Sequence, residues 1–313
     1  MDLIISHGHC PDGFVAAYIA KKRYPEAEVV FLDHGLTNEQ SDQLVNRVFD
    51  KDVLMLDYSL RTRFDNDMLV KAAKSFRILD HHKSAKEVLE GAPYAIFDMT
   101  RSGAGLAWDY LFGEDNPDSI GINLCTGKRG LARPWYVDYI EDRDLWNWKL
   151  TESRAVNAYL GTLPLTFEEW DKLPEAGGSA SAAELGKGAL AHINHYVREA
   201  VTQAQKGRLA GYDINILNVV YLNCSEVGNE LAKTADFSVT WFERGDGMIQ
   251  FSLRSIGDKD VSRIAKRFNG GGHKNAAGFQ MSLYEGRKLI DAILSRKVDN
   301  VSMSETRSSG GCV

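Results

Sequence analysis

Along the first ~110 residues, short runs of β-branched and aliphatic residues alternate with stretches whose apolar positions recur every three or four residues. The short runs, at residues 3–6, 29–33, 53–57, 76–80 and 94–97, predict strands, and residues 13–23, 39–49 and 64–74 predict helices between them. A further helix is expected over residues 102–112, behind a Ser-Gly-Ala-Gly turn. Strands that alternate with crossover helices require a parallel sheet, so the amino-terminal fold class is an open α/β sheet.

From residue 151 the β-rich runs fade, a loop-like stretch is expected at 174–179, and helical spacing returns over 182–205. A second β-rich region follows, with strands expected at 212–217, 219–221, 237–242 and 248–254 and a helix at 261–267. The chain of 313 residues thus divides into an α/β domain over 1–150, a helical connector over 151–205, a smaller α/β domain over 206–295 and a polar, Gly/Ser-rich tail over 296–313 that reads as disordered. That length suits two domains of roughly 100–200 residues each.

The polar residues inside this pattern are not scattered. His7, Asp33-His34, Asp57, Asp80-His81-His82 and Asp98 each follow an expected strand. In open α/β sheets ligands bind at the carboxyl ends of strands, so these groups can converge on one crevice. The loop His7-Gly8-His9-Cys10-Pro11-Asp12-Gly13 puts imidazole and carboxylate on one short segment able to hold a divalent cation; the alternative is a capped turn. Asp57 is an acid ending an apolar strand, which also occurs in plain turns. Asp80-His81-His82 offers one imidazole for a metal, a second for a phosphate oxygen and a carboxylate that ligates or orients a ring, against the alternative of a surface His pair. The charge run around Glu141-Asp142-Arg143-Asp144 by itself reads as a solvated turn. Far away, Gly270-Gly271-Gly272-His273-Lys274 can form a backbone nest for an anion or a flexible loop. Arg254, at the end of an expected strand, can clamp a phosphate or form a surface ion pair.

Asp80-His81-His82, the His7 to Asp12-Gly13 loop, strand-end Asp57 and the distant Gly270-Gly271-Gly272-His273 together resemble the DHH/DHHA1 phosphoesterases, and most of all their oligoribonuclease or nano-RNase-like subgroup. The resemblance implies a metal-binding catalytic DHH domain, a substrate-binding DHHA1 domain and manganese or magnesium as cofactor, two ions per active site. It implies His7, Asp12, Asp57, Asp80 and His81 as metal ligands, with Asp80, His81 and His82 catalytic and His82 touching substrate phosphate. Arg254, Gly270, Gly271, Gly272 and His273 would hold the far end of a nucleotide. One further acidic ligand falls on Asp142, which precedes Trp146 by four residues, with Asp144 as the alternative. Cys10 stands where many members carry Asp; a soft thiol matches manganese and magnesium poorly, so Cys10 is expected outside the shell.

The implied reaction is hydrolysis of short oligonucleotides or dinucleotides to mononucleotides. Cleavage of 3′-phosphoadenosine 5′-phosphate or of cyclic dinucleotides is the alternative, and a nucleotide-binding sensor is the non-enzyme reading. Charge narrows the partners: a net charge of −6 argues against long duplex nucleic acid, whose binding relies on broad phosphate neutralisation, but allows a short single-stranded or nucleotide substrate. Apolar residues at 44% and charged residues at 26% are ordinary for a globular chain. Four unpatterned cysteines, no signal-like amino terminus and no apolar run of roughly 20 residues lead to a cytoplasmic, non-membrane expectation, with a homodimer left open.

Overall fold

The computed structural model describes residues 1–33, 35–113, 131–173 and 177–295. His34, residues 174–176 of the expected loop and the tail expected over 296–313 lie outside the described residues. Elements follow in the order β1 (Leu3–His7), α1 (Pro11–Arg23), β2 (Glu28–Leu32), α2 (Asn38–Val48), β3 (Asp52–Leu56), α3 (Arg63–Ala72), β4 (Ser75–Asp80), α4 (Lys83–Val88), β5 (Ala95–Phe97) and α5 (Gly103–Phe112). The five strands form one parallel sheet in the order β2-β1-β3-β4-β5. The chain reverses its direction of winding between β1 and β3, which opens a crevice at their carboxyl ends.

Both faces of this sheet are covered, which is why its strands read as continuous apolar runs. Ile4, Leu54, Leu56 and Leu79 pack with α1 and α5, while Leu3, Ile5, Met55 and Ile78 pack with Leu44 and Val48 of α2 and Leu69 of α3. Helix starts obey local chemistry: Thr37 and Gln40 form a reciprocal capping box for α2, and the Thr62 and Ser102 side chains cap α3 and α5.

Helices α6 (Trp135–Asp144), α7 (Ser153–Leu160), α8 (Phe167–Trp170) and α9 (Gly178–Val201) come next. Much of the segment expected as a connector belongs to the first core, where Val156, Leu160, Trp170 and Ala182 pack with α1 and α5. The chain divides into two compact units after His192, within α9. No helix among the described residues is long and apolar enough to cross a membrane.

The second unit contains β6 (Gln205–Leu209), β7 (Tyr212–Asn218), α10 (Cys224–Ala232), β8 (Phe237–Glu243), β9 (Met248–Arg254), α11 (Val261–Lys266), β10 (Gly271–Gly272), β11 (Ala276–Ser282) and α12 (Leu283–Leu294). Its sheet runs β10-β11-β9-β8-β7-β6, with β7 and β8 parallel and the other pairs antiparallel. Two expectations change here. Residues 219–221 are not a strand: Val219 is buried beside Val227 and Leu231, and Tyr221–Asn223 make a 3-10 turn into α10. Gln205 begins β6 instead of ending the preceding helix.

Trp170 is fully buried, lies 5.3 Å from Phe14 and 6.0 Å from Tyr136 between ring centroids, and donates to Pro164 O at 3.2 Å. Trp170→Ala should therefore lower stability by about 3–5 kcal/mol. Urea unfolding checks this, and a loss below about 1 kcal/mol would contradict the packing described.

Candidate functional site

The ends of three neighbouring strands supply the site. His7 is the last residue of β1, Asp57 immediately follows β3, and Asp80 ends β4. Asp57 sits at φ 51°, in the left-handed region, so the strand breaks sharply at this residue. Its N–H still donates to Leu79 O at 2.9 Å, so the break begins beyond a held backbone. Two glycines make the approach possible. A Cβ on Gly13 would fall 2.5 Å from His7 O, and one on Gly103 would fall 2.5 Å from Asp57 Cβ. The first turns of α1 and α5 therefore close on Asp57 only because both positions lack side chains. Ser6 strengthens the junction by donating its hydroxyl to Gly13 O at 2.6 Å.

Carboxylates gather around one imidazole nitrogen. His81 Nε2, almost completely buried, lies 3.1 Å from Asp57 Oδ1, 3.5 Å from Asp144 Oδ2 and 3.6 Å from Asp12 Oδ2. Asp12 is anchored at the amino terminus of α5, accepting from Gly103 N at 2.6 Å and Ala104 N at 2.9 Å, where the helix dipole favours negative charge. Asp80 Oδ1 accepts from His81 N at 2.7 Å and His82 N at 3.0 Å and lies 2.7 Å from His82 Nδ1. Among the described residues, the buried oxygens Asp57 Oδ1 and Asp80 Oδ2 have no hydrogen-bond partner. Buried polar atoms are rarely left so, and orphaned carboxylate oxygens beside imidazoles fit a divalent cation.

The electrostatics agree. Burial, with repulsion from Asp144 and Asp57, pushes the Asp12 carboxyl well above its ordinary range, and burial with Asp57 also raises Asp144. Burial alone would lower His81, but Asp144, Asp57 and Asp12 outweigh it and hold the ring well above its usual value. Burial likewise opposes charge on His82, and Asp80 overcomes it. Asp57 and Asp80 are held below the usual carboxylate range because the surrounding imidazoles outweigh their burial. Burial lowers His7, against the pull of Asp57. Asp12, Asp57 and Asp80 are thus buried acids, joined by the more exposed Asp144, whose like charges oppose one another and favour a cation among them.

Donor atoms of Asp12, Asp57 and His81 lie within 4.8 Å of one another, as do those of His7, Cys10 and Asp57 and those of Asp57, Asp80 and His82. Asp57 is common to all three sets. Cys10, expected outside the shell, thus stands beside two of the expected ligands. Asp144 faces the cluster, whereas the Asp142 carboxylate accepts from Lys149 N at 2.9 Å and Leu150 N at 3.3 Å and so ties down the loop after α6. Asp98 accepts from Thr100 in a turn, and Asp33 lies 3.9 Å from exposed His9.

Sequence reasoning missed the supports. Glu141 accepts from Ser102 N at 3.1 Å and from Arg133 Nη1 at 2.9 Å, which fixes the start of α5 and hence the amides that hold Asp12. The Ser-Gly-Ala-Gly turn was the available signal for Gly103 and Ala104; nothing local marked Glu141.

In the second unit, Arg254 donates to Ser225 Oγ at 2.7 Å and Leu253 O at 3.0 Å, so α10 holds its guanidinium. Gly271 and Gly272 form β10 against β11, while Gly270 N donates to Ala265 O and His273 N to Ala276 O. The segment expected as either a nest or a flexible loop is therefore a short strand pairing with the Gly270 and His273 amides already committed. A Cβ on Gly270 would fall 2.1 Å from Gly278 O, which explains the glycine by strand packing.

Comparisons with known proteins follow this division. Residues 218–299 match the DHHA1 domain model. A protein of Acanthamoeba polyphaga mimivirus, described as uncharacterized, is 27% identical, covering 97% of this chain and 72% of that protein. Among solved structures, exonuclease RecJ bound to manganese aligns over 96% of this chain and 90% of its own, at 14% identity and a TM-score of 0.51. RecJ of Thermus thermophilus in complex with Mn2+ aligns over 94% of this chain and 51% of its own, at 15% identity and a TM-score of 0.50. At these identities the two structures establish a shared fold.

Two outcomes test the site's construction. Gly103→Ala should cost about 1–3 kcal/mol of stability by forcing α5 away from Asp57, read by urea unfolding; an unchanged midpoint would contradict the close approach. Asp80, held low in the folded protein, contributes stability that is present above the unfolded carboxyl value of about 3.9 and is lost as pH falls toward its native value. Metal-free wild type should lose stability below about pH 4 more steeply than Asp80→Asn. Equal slopes would refute that contribution.

Proposed function

We propose that the chain is a DHH/DHHA1 phosphoesterase, a family whose DHHA1 domain model matches residues 218–299, and that it is a metal-dependent hydrolase that cleaves short oligonucleotides or dinucleotides to mononucleotides. The observation that carries the reading is the crowding of Asp12, Asp57 and Asp144 around His81 Nε2, with buried carboxylate oxygens on Asp57 and Asp80 that have no hydrogen-bond partner among the described residues. The residues that would hold manganese or magnesium are His7, Asp12, Asp57, Asp80, His81 and Asp144. Bound there, such ions supply Lewis-acid polarisation of a phosphoryl oxygen and a more acidic water. RecJ structures of the same fold are described with manganese, which supports this choice of cation.

The chain's own groups do the rest. His82, pinned through Nδ1 by Asp80, which favours the protonated ring against its burial, is placed to stabilise negative charge developing on the phosphoryl group. Asp57 and Asp12, fixed by the strand break and by the α5 amides, are donors whose positions are set by the backbone. No serine or cysteine nucleophile is required. Arg254 and His273 are our candidates for recognising the distal part of the substrate; Ser225 already orients the former. A short substrate is favoured because the net charge of −6 lacks the broad basic surface that long strands require.

The test is hydrolysis of dinucleotides and longer oligomers with and without manganese. Turnover should require the metal, fall as the oligomer lengthens, and drop at least about 100-fold in Asp80→Ala, with the variant still folded by circular dichroism. An active Asp80→Ala would refute the mechanism, and a preference for long strands would refute the substrate class.

A further inference from the structure

The metal centre has two chemically different sides. Asp12, Asp57 and His81 form a set of two hard oxygen ligands and an imidazole, whereas His7, Cys10 and Asp57 bring one nitrogen, one sulfur and one oxygen within 4.8 Å of one another. We propose that Cys10 is a metal ligand, and that the His7–Cys10–Asp57 side takes a thiophilic divalent ion such as zinc or cobalt(II) ahead of manganese or magnesium. The proposal rests on the reading of this cluster as a metal centre.

The geometry permits one ion to reach all three. Metal bonds of about 2.0–2.3 Å in a tetrahedral shell place donor atoms roughly 3.3–3.7 Å apart, so a side-chain adjustment of about 1 Å closes the set. The backbone positions are fixed independently of any ion: His7 by the pairing of β1 with β2, Cys10 by the Pro11 that starts α1, and Asp57 by the end of β3. Asp57 is 1% exposed, with Oδ1 3.1 Å from His81 Nε2 and Oδ2 3.8 Å from His7 Nδ1. One carboxylate thus faces both sides of the centre.

Donor softness then decides which ion each side prefers. Sulfur favours zinc and cobalt over the hard cations that suit carboxylate oxygens, and the divalent series places cobalt and zinc above manganese for a given site. On binding, the Cys10 S–H proton leaves to solvent and the sulfur lone pair bonds to the ion. An Asp at position 10 would supply a hard oxygen instead, so this single residue sets the preference.

Cobalt(II) alone, titrated into the metal-free full-length protein without oxygen, tests the assignment through its sulfur-to-metal charge-transfer absorption. The wild type should show that band. Cys10→Ser should lose it and bind zinc at least about 10-fold more weakly, whereas Cys224→Ser should retain both. Cys10→Asp should lose the band and bind manganese more tightly than wild type. No band in the wild type, or an undiminished band in Cys10→Ser, would overturn the proposal. The spectrum does not depend on turnover. Manganese-dependent hydrolysis without a band refutes the role of Cys10 alone, and a Cys10-dependent band without hydrolysis supports that role while refuting the phosphoesterase reading.

Discussion

Like charges crowded around one buried imidazole are the constraint on which the site depends. Asp12, Asp57 and Asp144 all approach His81 Nε2 within 3.6 Å, and His81 is almost fully buried. At an effective dielectric near 20, two unit charges 4 Å apart repel by about 4 kcal/mol, so such a group of acids is costly unless positive charge sits among them. The directions of the pKa shifts follow: Asp12 and Asp144 are pushed toward neutrality and His81 toward its cation. A divalent cation relieves the same repulsion more completely than one proton does.

The fold bears that cost through backbone geometry. Three parallel strands end at one level on either side of the point where the winding reverses, which brings His7, Asp57 and Asp80 together. Gly13 and Gly103 let two helices come close enough to touch Asp57, and the Gly103 and Ala104 amides neutralise part of the charge on Asp12. Glu141, held by Arg133, fixes the start of α5 from the other side. The acids are thus positioned by the backbone.

The parallel sheet was legible because strands buried on both faces leave unbroken apolar runs, and its site was legible because ionisable residues at strand ends stand out against them. The carboxyl-terminal unit was harder to read. The α10 segment Cys224–Ala232 buries only Val227, Gly228, Leu231 and Ala232, too sparse a stripe to announce a helix, and β11 follows glycines that suggested a loop. The glycine run left a nest and a flexible loop both open, and the structure shows why neither spacing nor composition could decide: Gly271 and Gly272 pair with β11, the Gly270 amide goes to Ala265 O at the end of α11 and the His273 amide to Ala276 O. Spacing to Trp146 pointed to Asp142, but the loop after α6 engages that carboxylate through the Lys149 and Leu150 amides, and it is the alternative, Asp144, that faces His81. Glu141 left no trace because its role depends on a contact 39 residues away in sequence.

Thermal unfolding of chelator-stripped protein, repeated with manganese added in excess, addresses the metal centre most directly. Selective binding to the folded state stabilises by about 2.7 kcal/mol at a hundred times the dissociation constant, so the midpoint should rise with manganese concentration in the wild type and stay fixed in Asp57→Asn. A wild-type midpoint indifferent to manganese, or an equal rise in Asp57→Asn, would contradict a centre organised on that carboxylate.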